Sequence, residues 1–277
     1  MSPRQRVPAH RRVTGEEELA LVQEGELEVE GRILPASNIT LIGSLTRNGH
    51  SAQCVYKPVS GERPLWDFPE GTLAGREVAA YLVSEALGWD VVPLTVEREG
   101  PLGTGMVQLW REPDAGQDPV DIVPEGRIPE GYLHVLDAVD GEGTPVSLVH
   151  EDTAALRRMA VFDAVVNNAD RKGGHVLAMP GGHRYGVDHG VCFHTEPKLR
   201  TVLWGWATLP LSDEEVAALT GLVDRLAAPG AGLRSALEEL LSSYEVEAVR
   251  TRCENLLAHG RMPLPSGEWP AIPWPAF

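Results

Sequence analysis

Positive charge is scarce in this sequence. Its 277 residues carry 24 Lys and Arg against 40 Asp and Glu, a net charge of −16. Such a chain is repelled by nucleic-acid phosphates and by anionic lipid surfaces, and no Lys/Arg cluster beyond the first dozen residues offsets this. Neither nucleic-acid binding nor constitutive membrane binding is expected. Lysine is rarest of all: Lys57, Lys172 and Lys198 stand against 21 arginines, a bias that fits a GC-rich genome. Chemistry that needs an ammonium group therefore has three candidates. No run of about 18 apolar residues occurs, so no membrane-spanning helix is expected. The basic stretch from Met1 to Arg12 is followed by no apolar segment and reads as a short disordered arm, not a secretory signal. Cys54, Cys192 and Cys253 are far apart and form no Cys-x-x-Cys pair. That argues against a disulfide framework or a thiolate zinc site, fits a reducing cytoplasm, and leaves the thiols as small buried hydrophobes. What is present is enough for a core, with 43% hydrophobic residues. At roughly 100–200 residues per domain, the length gives one large domain or two packed lobes.

The front half reads as strands. Leu27 to Leu34, Ile39 to Leu45 and Ala52 to Lys57 alternate in part, and Asn48-Gly49 is a hairpin turn signal. After a polar loop from Ser60 to Gly71, the spacing of Val78, Leu82, Ala86 and Leu87 predicts a helix over Leu73 to Leu87, stopped by Gly88. Val91 to Glu97 and Gly105 to Trp110 read as two more strands. Pro, Gly and Asp dominate Glu112 to Gly143, which reads as a linker or irregular insertion. The back half is mostly helical. Asp152 or Thr153 caps a helix to Val166 with an apolar stripe of Leu156, Met159, Ala160, Phe162 and Val166. Ser212-x-x-Glu215 is a capping box that opens a helix to Leu226. Further helices are expected near Leu233 to Leu241 and Tyr244 to Ala258. The tail from Pro263 to Phe277 holds five prolines. It is expected to lie along the surface with Trp269 and Trp274 packed down.

Several residues have the types and spacing that phosphoryl transfer from ATP needs: a cation on the phosphates, a group to hold it, metal-binding carboxylates and a carboxylate near the attacking hydroxyl. Lys57 ends a strand, and twenty residues later Glu77 lies early in a helix. A strand lysine paired to a helix glutamate fixes the ammonium in kinases, although alone the two also read as a surface lysine and a solvated glutamate. The sharper pattern is Asn167-Asn168-Ala169-Asp170-Arg171-Lys172-Gly173-Gly174-His175, directly after an amphipathic helix. A short strand then ends in Asp188-His189-Gly190.

An Asp-Arg loop, a hairpin and an Asp-x-Gly turn in this order resemble the catalytic loop and metal turn of the phosphatidylinositol 3-/4-kinase superfamily, which includes HipA-like bacterial kinases. Within it the chain, as a bacterial member, is most similar to type II phosphatidylinositol 4-kinases. The similarity rests on Glu77 followed by Val91-Val92-Pro93, on Val107-Gln108-Leu109-Trp110, and on the aromatic segment Trp204 to Pro210. It runs from about Gly43 to Ser212. The resemblance implies an α+β, bilobal protein-kinase-like fold: an arm (1–24), a β-rich N-lobe with one main helix (25–112), a helical C-lobe (113–262) and a Pro/Trp-rich tail (263–277). It implies ATP with Mg²⁺ or Mn²⁺ as cofactors. Lys57 would contact the phosphates and Glu77 would orient it. The loop Gly43 to His50, with Ser44, would cover the phosphates. Gln108, Leu109 and Trp110 would form the hinge that reads adenine. Asp170 would be the catalytic carboxylate, Arg171 would hold its loop, and Asp188 would bind metal.

One position departs from the family, which has asparagine as a metal ligand five residues after the catalytic aspartate. Here it is His175. Imidazole suits softer ions than Mg²⁺, so three alternatives stand: His175 ligates Mn²⁺ or another divalent ion, it has left the metal shell, or the site binds nucleotide without transfer. A zinc site from His175, His183, His189 and His194 lacks the expected ligand spacing. Trp204 and Trp206 read as buried core ahead of a substrate lip. The expected activity is transfer of the γ-phosphate to a hydroxyl, first of a soluble small molecule, then of a protein. A lipid acceptor is disfavoured by the charge and the lack of a polybasic segment. A nucleotide-binding regulator and an AMP transferase are the alternatives.

Overall fold

In the computed structural model, residues 15–34, 38–63, 65–68, 72–228, 230, 232–267 and 269–277 are described. The whole basic stretch from Met1 to Arg12, and part of the loop before residue 72, lie outside them.

The alternating segments of the front half pair as a five-stranded antiparallel sheet of β1 (Glu26–Arg32), β2 (Leu41–Arg47), β3 (His50–Pro58), β4 (Thr95–Gly100) and β5 (Gly103–Leu109), in the order β1-β2-β3-β5-β4. Asn48 and Gly49 turn the β2–β3 hairpin with φ of 50° and 79°, the left-handed region that this pair of residues tolerates. In β3 the two-residue period sends Cys54 and Tyr56 to a buried face, while Val55 and Lys57 point to the other. The buried face meets α1 (Gly15–Glu24) through Leu21 and Val22. Residues 15–24, expected to belong to an arm, are thus a docked helix. On the face of Lys57 lies α2 (Leu73–Leu87), where Ala74 and Val78 pack on Met106. Thr72 caps α2 by accepting the Gly75 N–H at 2.8 Å, and Gly88 ends it at φ 71°.

The stretch expected to be irregular is a correction. It forms β6 (Val120–Pro124) and β7 (Tyr132–Val139), which flank β8 (Pro145–Glu151) in an antiparallel sheet. Proline and glycine sit at its turns, while short β-prone runs between them find their partner downstream. Leu148 of β8 joins the core of the helical lobe, centred on α3 (Ala154–Val166). This helix is buried on almost every side, consistent with its nearly continuous apolar sequence. On it packs α6 (Ser243–His259), and α4 (Asp213–Ala227) and α5 (Gly232–Glu238) complete the same core. Full capping boxes at Ser212–Glu215 and Ser242–Glu245 open α4 and α6. Between α3 and α4 runs a small hairpin of β9 (Val176–Ala178) and β10 (Arg184–Gly186). All three cysteines are buried and free. The tail lies on the surface. Trp269 reaches Lys198, but Trp274 is 85% exposed, not packed down. Among the described residues, no helix is long and apolar enough to cross a membrane.

Candidate active site

The β3 alternation aims Lys57 at α2, and α2 returns a carboxylate. Lys57 Nζ donates to Glu77 Oε1 at 2.6 Å and to Asp188 Oδ1 at 2.8 Å. These three side chains come from the strand-rich lobe, its helix and the turn after β10. Glu77 is almost fully buried, and its second oxygen accepts the backbone N–H of His189 at 2.8 Å. One carboxylate therefore ties the ammonium group to the turn that carries Asp188. Burial works against charge on Lys57, but Asp188 and Glu77 outweigh it and raise its pKa. Lys57 in turn holds the Asp188 carboxyl, whose side chain is half exposed, well below the usual carboxylate range. For Glu77 desolvation is the larger effect and pushes its pKa up despite Lys57. Asp188 adopts φ 63°, a left-handed backbone rare for a residue with a side chain, and such strain is found at functional turns.

His175 lies between the two aspartates picked out in the sequence. Its Nδ1 lies 3.1 Å from the Asp170 carbonyl oxygen, to which only a protonated nitrogen can bond. The lone pair is then on Nε2, which lies 3.5 Å from Asp188 Oδ2. Burial lowers the pKa of the ring and keeps it neutral. A neutral imidazole with one nitrogen tied to a backbone carbonyl and the other beside a carboxylate has the form of a metal ligand. Among the described residues, no three His, Cys, Asp or Glu side chains converge as a metal cage. The donor set here is one carboxylate and one imidazole. It fits a divalent cation that arrives with a nucleotide and takes its other ligands from phosphate and water. The Asp170 side chain is about one-third exposed and pairs with Lys172 at 3.2 Å.

Arg171 is fully buried and holds the loop together. Its guanidinium meets Asp163 of α3 at 2.9–3.2 Å through Nε and Nη2. Nη1 donates to the carbonyls of His175 and Val187 at 3.2 and 3.1 Å. Nη2 also donates to His189 Nε2 at 2.7 Å. Gly186 permits this, because a Cβ there would come within 2.8 Å of Nη2. Burial, and then Arg171, depress the His189 pKa, so its ring stays neutral and stands edge-on to Phe162 with centroids 5.5 Å apart. Asp163 also accepts from Asn168 Nδ2 at 3.0 Å and Thr201 Oγ1 at 3.3 Å. The sequence reading passed over Asp163; an acidic residue inside Met159–Val166, an otherwise apolar run, was the available signal. Asn167 was likewise missed as a brace. It ends α3 at φ 54° and its amide donates to the carbonyls of His194 and Glu196.

Ser44 sits on β2 opposite Gln53, on the face of the sheet that carries Lys57. The residues expected at the hinge lie at the end of β5 and directly after it. The Gln108 side chain is buried and donates to Thr95 Oγ1 at 2.8 Å. The N–H of Leu109 is held by Leu94 and that of Trp110 by Gln53, at 2.9 and 3.0 Å. These two N–H donors already serve main-chain carbonyls. Trp206 is buried, as expected, and its indole donates to Asp152 at 2.8 Å.

No family model matches the chain. Protein Rv2133c of Mycobacterium tuberculosis is 53% identical over 271 residues, covering 95% of this chain and 96% of that protein. Phosphatidylinositol 4-kinase gamma 7 of Arabidopsis thaliana is 34% identical over 103 residues, 32% of this chain and 15% of that protein. A crystal structure of the Golgi casein kinase matches with a TM-score of 0.50 at 12% identity, covering 88% of this chain and 73% of that one. The fold, with its strand-rich front part and helical back part, is kinase-like.

Proposed function

The chain belongs to the family of Protein Rv2133c, and we propose that it is an ATP-dependent phosphotransferase of the phosphatidylinositol 3-/4-kinase-like group. The observation that carries this reading is the junction at Lys57, one ammonium held between a buried helix carboxylate and the carboxylate of the Asp188 turn. The kinase-like fold and the partial likeness to a phosphatidylinositol 4-kinase support it. Phosphoryl transfer is mainly positioning and charge neutralisation. Glu77 fixes Lys57 where its ammonium can meet the nucleotide phosphates. Asp188 and His175 would hold a divalent cation, Mg²⁺ or Mn²⁺, which neutralises charge on the transferring group. Asp170 orients the acceptor hydroxyl and takes its proton. Arg171 touches no substrate; it positions Asp170, His175 and Asp188 by binding the main chain around them. Ser44 and the β2–β3 hairpin cover the phosphates.

The acceptor in this reading is a hydroxyl of a soluble small molecule in the cytoplasm. A net charge of −16 opposes approach to an anionic bilayer. The test is purified protein with ATP and either cation. Release of ADP, even slowly to water, is expected. Pyrophosphate would mean AMP transfer, and nucleotide binding with neither product would mean a regulator. Asp170→Asn should abolish ADP release with nucleotide affinity nearly intact, whereas Asp188→Ala should also weaken cation-dependent nucleotide binding. Wild-type turnover in both variants would refute the site assignment.

A further inference from the structure

The Pro/Trp-rich tail reaches the catalytic loop. From Trp269 onward it follows the segment that links the Asp188 turn to α4. The Trp269 ring lies 5.0 Å from Lys198 Nζ. The Ala271 carbonyl accepts the Thr201 N–H at 3.0 Å and the Trp204 indole N–H at 2.9 Å. Ile272 and Ala276 pack on the core of the helical lobe. The Ala276 carbonyl then accepts the Gly173 N–H at 2.8 Å. The Phe277 ring lies against Gly173 and fills the space that a Cβ would take there.

Gly173 opens the short turn Gly173–His175, which carries His175. The first N–H groups of such a turn have no partner within it, and the Lys172 side chain before it makes no capping bond. Gly173 and Gly174 also lose more backbone freedom on ordering than other residues would. Arg171 grips this loop at the carbonyls of His175 and Val187, and Asn168 accepts the Asp170 N–H at 2.9 Å. The Gly173 N–H is held by the tail. The loop is thus gripped from inside the lobe by Arg171 and from outside by Ala276 and Phe277.

We propose that Ala276 and Phe277 are positioning residues that clamp Gly173 and so hold Asp170 and His175 in place for transfer. This rests on the phosphotransferase reading of the same site. Lys57 meets the nucleotide phosphates from the other lobe, so the clamp acts on the transfer step more than on nucleotide binding.

Kinetics of ADP release test this. Phe277→Ala should lower kcat at least about tenfold while the KM for ATP changes less than about threefold. Its melting temperature should stay within about 2 °C of wild type, because Phe277 is half exposed. Phe277→Tyr keeps the ring and should match the wild type. Gly173→Ala puts a methyl group where the ring lies and should reproduce the loss. Combined with Phe277→Ala it should add little, since both act through one contact. Leu264→Ala, at an exposed position of the same tail, should change nothing. Amide exchange needs no turnover: the Gly173 N–H should exchange at least about tenfold faster once Ala276 and Phe277 are deleted. A wild type that releases no ADP would sink the phosphotransferase reading, while exchange would still decide whether the tail holds the loop. Turnover of Phe277→Ala at or above the wild-type level, additive losses in the double variant, or unchanged Gly173 exchange would overturn the proposal.

Discussion

Replacing Asp163 by Asn tests how far the candidate site depends on one ion pair that no solvent reaches. Both Asp163 and Arg171 have side chains with no exposed surface, so water cannot take over for either partner. The change keeps shape and removes charge. It also turns one oxygen into an NH₂ group, which faces a guanidinium that can only donate. Two further donors, from Asn168 and Thr201, converge on the same carboxylate. Removing one partner of a buried pair costs about 3–5 kcal/mol. For a chain of this size, each kcal/mol shifts the melting midpoint by about 2–4 °C. A drop of about 6–20 °C is therefore expected, read by tryptophan fluorescence and by urea denaturation. The double variant Asp163→Leu with Arg171→Met removes both charges and should recover part of the loss. It should not recover ATP turnover, because Arg171 would no longer hold the carbonyls of His175 and Val187. A single variant within about 1 kcal/mol of wild type would refute the view that this pair braces the loop.

Three more outcomes follow from particular residues. His150 is fully buried and neutral, with Nδ1 on the Glu151 carbonyl and Nε2 accepting the Gly205 N–H at 2.9 Å. Desolvation lowers its folded pKa below the 6.5 of an unfolded histidine. The unfolded chain therefore binds the extra proton first, and the His150 contribution is whole above about pH 6.5 and lost as pH falls below it. His150→Gln should flatten the decline of melting temperature between pH 7.5 and 5.5, and an unaltered slope would reject this origin. His175→Asn should shift the preference of ADP release from Mn²⁺ toward Mg²⁺, measured as the ratio of rates in the two cations; an unchanged ratio places His175 outside the metal shell. Ser212→Ala removes one half of the capping box of α4 and should cost about 1 kcal/mol in urea denaturation, with no effect on nucleotide binding.

Local signals were readable wherever structure is local. The helix over Leu73–Leu87 shows in its apolar spacing and in Gly88, and α4 shows in its capping box. By contrast, α1 has only a few apolar residues in Gly-Glu-Glu-Glu-Leu-Ala-Leu-Val-Gln-Glu, and docking of Leu21 and Val22 on the sheet stabilises it. The β6–β8 sheet was hidden because its turns carry the Pro and Gly that mark a loop, and because β6 and β7 pair through β8 rather than with each other. At the expected hinge, residue type says nothing of which amides are free. Gln108, Leu109 and Trp110 match a family pattern, yet whether an N–H is free for a ligand depends on strand register, and these amides already serve the sheet.

The site itself was readable as a set of residue types but not as a geometry. Lys57 and Asp188 lie 131 positions apart, and only folding shows that one ammonium bridges Asp188 and Glu77. The His175 question shows the same limit at the scale of a single proton. As a letter in the sequence, His175 in place of asparagine is equally compatible with a ligand, a bystander or a degenerate site. What narrows the choice is that the Asp170 carbonyl claims Nδ1, that burial keeps the ring neutral, and that Nε2 is thereby turned toward Asp188. A lone pair turned toward a carboxylate is unfavourable unless a cation lies between them, which is the reason the proposed reading gives His175 to the metal. In the proposed reading, the substitution changes the donor atom from oxygen to nitrogen while keeping a neutral donor at the same place in the loop. Of the properties of such a site, the one most sensitive to that change is the identity of the cation, more than the ability to bind a nucleotide.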